Sequence, residues 1–162
     1  MLDALAVAPI AHRGTTWTPP QNRPTDWKRR LNRYQRLRHH REDVPKMAKL
    51  QSLDPHTPMF AQFKEETGPV VLANTFVVPK ELTESFLTLF RRQAEFMKAQ
   101  PGFVSLRMHQ GTAGSRLLMN VAVWESTEAL AAALADPEFQ RVAAEFPDDV
   151  VSYPHIFEQI DV

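Results

Sequence analysis

The 162-residue chain balances 19 Lys/Arg against 19 Asp/Glu and is 43% hydrophobic, ordinary values for one globular domain with an appendage. It holds no cysteine, which excludes disulfides, thiolate catalysis and Cys-based metal sites. No apolar run reaches the roughly 20 residues of a membrane helix, so no membrane partner is expected.

The zero net charge conceals a split. Residues 1–49 carry eleven basic against four acidic side chains, +7, and residues 50–162 carry eight against fifteen, −7. A basic arm on an acidic body points to nucleic acid or a membrane surface, or to the arm packing on the body of its own chain or a partner's. The last is the expectation. Met1-Leu2-Asp3 lacks a basic leader and Leu5 to Ile10 is short for a signal core, so a cytoplasmic location is expected.

Residues 1–68 read as an N-terminal extension. Pro9, Pro19, Pro20 and Pro24 make the first 25 irregular. A helix is predicted over about 27–43, with Trp27, Leu31, Tyr34 and Leu37 on one stripe and arginines on the other faces. No helix-turn-helix, zinc-finger or RNP motif accompanies it, so nucleic acid is not an expected partner. Residues 46–65 read as a short helix and connector, broken by Asp54-Pro55 and Thr57-Pro58.

Residues 69–162 read as the body. Pro69 to Val78 is a strand by β-branched content. Lys80 to Gln100 is a helix, with Leu82, Phe86, Leu89, Phe90, Ala94 and Met97 at helical spacing, stopped by Pro101-Gly102. Phe103 to His109 is a second strand, residues 111–115 a hairpin loop, and Arg116 to Glu125 a third strand. Ser126 caps a second helix, Asp136-Pro137 opens a further helical segment, and Asp149 to Asp161 supplies the last strand. The order is β-α-β-β-α-β, a ferredoxin-like α+β fold. Two helices cover one face of a four-stranded sheet, yet the strands are apolar on both faces. A second copy pairing sheet to sheet as a homodimer is the expected cover.

The segments PGFVSLRMH at 101–109, MNVAVWES at 119–126 and ADPEF at 135–139 resemble the antibiotic-biosynthesis-monooxygenase (ABM) family, a dimeric α+β barrel. The resemblance covers about 69–161. It implies a monooxygenase or oxidase that binds an electron-rich aromatic, polyketide-like or quinol, beside O₂ and needs no cofactor. Asn120 and Trp124 match the Asn-x-x-x-Trp pair of the cofactor-free members, and spacing by four puts both on one side of a strand. The implied roles are an amide hydrogen-bonding a ketone or phenolate oxygen, and an aromatic wall with one N–H donor. His109 is the candidate general base by pKa, although it alternates with Met108 and so faces the other way. Asn74, Phe76, Phe90, Met108, Leu130, Tyr153 and His155 are the candidate substrate-binding residues. Met108 and Leu130 stand where the best-understood members have tyrosines. Tyr153 and His155 share a face and are the candidate replacements for that phenol and base. The Trp and His positions of the haem-degrading members fall on Ala133 and Ala143, so haem is not expected. The alternative reading is a non-catalytic or cyclase-like ligand-binding dimer whose basic arm recruits a partner.

Overall fold

The computed structural model describes Arg29 and residues 48–161. The helix expected over about 27–43 falls, apart from Arg29, outside the described residues. In chain order the elements are β1 (Lys49–Leu50), α1 (Met59–Gln62), β2 (Val70–Val77), α2 (Thr83–Lys98), β3 (Phe103–Gln110), β4 (Leu117–Trp124), α3 (Thr127–Leu134), α4 (Pro137–Ala143) and β5 (Val151–Glu158). A 3₁₀ turn, Lys80–Leu82, leads into α2.

The local chemistry of the sequence sets these boundaries. Phe86, Phe90, Ala94 and Met97, spaced four, four and three apart, form the buried stripe of α2. Gly102 ends the turn after α2 at φ 78°, and a Cβ there would lie 2.5 Å from the Ala129 Cβ, so only glycine fits. The Ser126 hydroxyl accepts the Ala129 N–H at 3.1 Å and opens α3. The Asp136 carboxylate accepts the Glu138 N–H at 2.8 Å and opens α4, with Pro137 in the first turn.

The sheet runs β1-β5-β2-β4-β3. β2 is central and antiparallel to both β4 and β5, and β3 is antiparallel to β4. Register fixes the faces. Leu72, Asn74 and Phe76 align with Ala122, Asn120 and Leu118 on one side and with Ile156, Pro154 and Ser152 on the other. This row, with Val70 and Trp124, faces the helices. The alternate row of Val71, Ala73, Thr75 and Val77 aligns with Val123, Val121, Met119 and Leu117 and faces away. On that open face Leu117, Met119 and Phe157 are 44%, 39% and 44% exposed.

The connector before the body departs from expectation. A four-stranded sheet was predicted, and the fifth strand is β1, parallel to β5, with Lys49 N–H donating to Val150 O at 2.9 Å and Gln51 N–H to Ser152 O at 2.8 Å. Farther along β5, the Gln62 side chain donates to Ile156 O at 2.7 Å and accepts from Ile156 N–H at 3.0 Å, as a strand partner would. Ser152 and Ile156 direct their backbone groups outward on this edge, so Pro154 between them has its missing N–H on the same outer side. Met59 and Phe63 are buried in the core, where each full burial contributes about 2 kcal/mol. The buried Thr127 hydroxyl donates to Glu65 O at 2.8 Å, and Thr127 N–H donates to Thr67 O at 2.8 Å. Residues 48–67 are thus a strap that completes one edge of the sheet and anchors at the start of α3.

Candidate active site

Two clusters of buried side chains lie between sheet and helices. One gathers Leu72, Met97, Ala122, Trp124 and Leu130 with the strap's Met59 and Phe63. The other packs Phe76 against Phe86 at 4.9 Å and Phe86 against Phe146 at 5.3 Å between ring centres, each pair tilted. A small cavity of about 60 Å³ opens at the seam. The sheet supplies Leu72, Asn74, Phe76, Leu106, Asn120, Ala122 and Trp124, and the helices supply Phe90, Gln93, Ala94, Met97, Leu134 and Phe139.

The wall is apolar except for three amides and an indole. Asn120 Oδ1 and Trp124 Nε1 are buried with no hydrogen-bond partner. Such orphaned groups are costly, and both belong to residues that line the cavity. One is an acceptor and the other a donor, so the fitting ligand carries both a donor and an acceptor. Trp124 is 0% exposed and held edge-on by Phe103 at 5.4 Å and 87°. Asn74 lies directly across from Asn120 in the ladder, and its Oδ1 accepts the Ser152 hydroxyl at 2.8 Å.

Of the residues singled out in the sequence, Asn74, Phe76, Phe90, Asn120 and Trp124 meet in this cavity. Five others do not line it. Leu130 is fully buried in the cluster with Trp124. Met108 packs against the Phe76–Phe86 cluster, and Leu106 takes its place in the wall. His109 pairs with Met119 on β4 and is exposed on the open face. Tyr153 and His155 align with Thr75 and Ala73, so both also lie on the face opposite the cavity. His155 sits 3.3 Å from Gln62 Nε2 and edge-on to Phe157. A base at His109, or a phenol and base at Tyr153 and His155, would have to act through the sheet, so those assignments are corrected. Leu72, Gln93, Ala94, Met97, Leu106, Ala122, Leu134 and Phe139 were missed. The signal for Gln93 was present: it is three residues after Phe90 and four before Met97, a polar residue on an apolar stripe.

No lining side chain is ionisable. Charge is instead spent on the outer surface, where Arg92 of α2 and Arg141 of α4 bind Glu145 at 2.7 and 3.1 Å, and Arg141 binds Glu138 at 2.6 Å. Hydrogen bonds from these guanidiniums hold the Glu138 and Glu145 carboxyls below their ordinary range. Among the described residues no three His, Asp or Glu cluster as a metal site, and no helix is long and apolar enough to cross a membrane.

Residues 69–145 match the model of the antibiotic biosynthesis monooxygenase family. No curated protein sequence gives a significant match. Among solved structures, SnoaB of Streptomyces nogalater, a cofactor-independent oxygenase, is 28% identical at a TM-score of 0.55, covering 59% of this chain and 97% of its own. A variant of SnoaB with one asparagine replaced by alanine superposes at 0.54. A candidate monooxygenase from Shewanella loihica PV-4 is 27% identical at 0.50, with the same coverage of both chains. Residues 69–145 therefore match the ABM model and share the fold of these structures.

Proposed function

We propose that the body, residues 69–162 closed by the strap, is a cofactor-independent monooxygenase that oxidises a hydroxylated aromatic, polyketide-like or quinol, with O₂. The observation that carries this reading is the pair of unpartnered atoms, Asn120 Oδ1 and Trp124 Nε1, in an apolar cavity with no ionisable wall. The likeness to SnoaB supports it. Trp124 and the Asn74 amide are the candidate donors to a ketone or phenolate oxygen, and Asn120 Oδ1 accepts a substrate hydroxyl. Donors fixed in a dry pocket stabilise the anion of such a substrate. The anion transfers one electron to O₂, the two radicals join in a C–O bond, and loss of water from the protonated peroxide leaves a carbonyl. For a methylene substrate the balance is R₂CH₂ + O₂ → R₂C=O + H₂O. The wall has no base, so the proton leaves to solvent or through the substrate's own phenol. It also has no side chain suited to ligate a haem iron, which supports a reaction without one.

The exposed Leu117, Met119 and Phe157 support a homodimer through the open sheet face. The function is tested by O₂ uptake of chelator-treated protein with hydroxyanthrones and hydroquinones. Turnover above background on at least one of them is expected. An intact, folded protein inert to the whole panel refutes the reading.

A further inference from the structure

We infer that Ser152 is a positioning residue for the cavity, and that the N-terminal strap holds it in place. The inference rests on reading the cavity as the active site. Ser152 is a hydroxyl buried to 1% exposure on β5, outside the segment 69–145 that matches the family. Its Oγ donates to Asn74 Oδ1 at 2.8 Å. A side-chain amide has two faces of opposite character, and which one meets the ligand depends on what holds the other. With its oxygen turned to Ser152, Asn74 is left to present N–H donors to the cavity. Pro154, the residue directly across from Asn74 on β5, has no polar side chain and cannot do this work. The diagonal neighbour does it instead.

Ser152 is itself fixed from outside. Its backbone carbonyl accepts the Gln51 N–H at 2.8 Å, and the preceding Val150 carbonyl accepts the Lys49 N–H at 2.9 Å. A chain of contacts therefore runs from the strap through Ser152 and Asn74 to the place where the ligand's acceptor sits. Without the Ser152 hydroxyl, the Asn74 oxygen is unpaired and the amide is free to turn its acceptor toward the ligand. A donor array that stabilises an anion then becomes one that repels it.

The test uses the full chain and two readouts. The Asn74 side-chain NH₂ pair in a ¹⁵N correlation spectrum, assigned by its loss in Asn74→Asp, reports amide orientation whether or not a substrate turns over. Ser152→Ala is expected to move or broaden that pair, Ser152→Thr to restore it, and Gln51→Pro, which deletes the strap's N–H, to perturb it. With a hydroxyanthrone that turns over, Ser152→Ala is expected to lower kcat/KM about tenfold, the effect of one lost hydrogen bond. In an Asn74→Ala background the same change is expected to cost less than about twofold, the non-additivity of residues acting as one unit. An Asn74 pair unchanged in Ser152→Ala, or an equal loss in both backgrounds, overturns the inference. An unchanged pair in Gln51→Pro overturns the role of the strap. A wild-type protein that oxidises nothing refutes the proposed function, and the spectrum still decides the orientation.

Discussion

Replacing Asn120 with leucine separates stability from function. The side chain is 6% exposed, and its Oδ1 has no partner in the folded protein. A buried unpaired acceptor costs about 1–3 kcal/mol, and leucine of similar size removes it while adding apolar contact at the seam of the two clusters. The cavity beside it takes up the difference in shape, so overpacking is small. The expected gain is about 2 kcal/mol, which at about 4 °C per kcal/mol raises Tm by roughly 8 °C. Turnover of any hydroxyaromatic falls at the same time by about tenfold or more, the loss expected when the hydrogen bond that accepts the substrate hydroxyl is removed. Differential scanning calorimetry and O₂ uptake on the same sample read both effects. A variant that loses stability shows that the Asn120 amide serves the fold, and one that keeps its turnover shows that it does not serve the substrate. Either result refutes the reasoning.

Trp124→Phe keeps the edge-on contact with Phe103 and deletes the indole N–H, so kcat/KM should fall about tenfold or more while unfolding free energy drops by about 1–2 kcal/mol. Gln62→Ala leaves the Ile156 N–H and C=O without their protein partner on the sheet edge, and should cost about 1–2 kcal/mol in urea denaturation, with faster exchange of the Ile156 amide. Met119→Asp sets a charge on the open face and should halve the mass in sedimentation while circular dichroism is unchanged; a mass equal to wild type counts against the sheet-face dimer. With no ionisable group in the wall, the inflection of kcat/KM against pH should follow the phenol pKa across a substituted substrate series and survive His109→Ala. A constant inflection across the series would reveal a protein base.

The sequence was informative where a pattern repeats over enough residues. The stripe of α2 fixes its buried face, and the apolar runs of β2 and β4 fix their type and order, because each spans several turns or pleats. Spacing by four was enough to put Asn120 and Trp124 on one face of β4. The strap was harder to see, since a two-residue strand and a four-residue helix contain no period. Its attachment depends on Gln62 imitating a strand, which composition does not announce. The faces of β5 were missed for a different reason: a slip of one residue in register exchanges the two faces, and nothing local pins a strand that ends the fold. Tyr153 and His155 therefore had an even claim to the cavity until Thr75 and Ala73 were found across from them. Leu130 was chosen by alignment with a tyrosine position, but an apolar side chain there sinks into the core behind Trp124.

The most direct test of the account is oxidation of a hydroxyanthrone under ¹⁸O₂ by chelator-treated protein. The account predicts one O₂ consumed per product and one ¹⁸O in the new carbonyl, with the rate of labelled product lowered in Trp124→Phe and Asn120→Leu. Label taken from water, or turnover undiminished in those two variants, would contradict it.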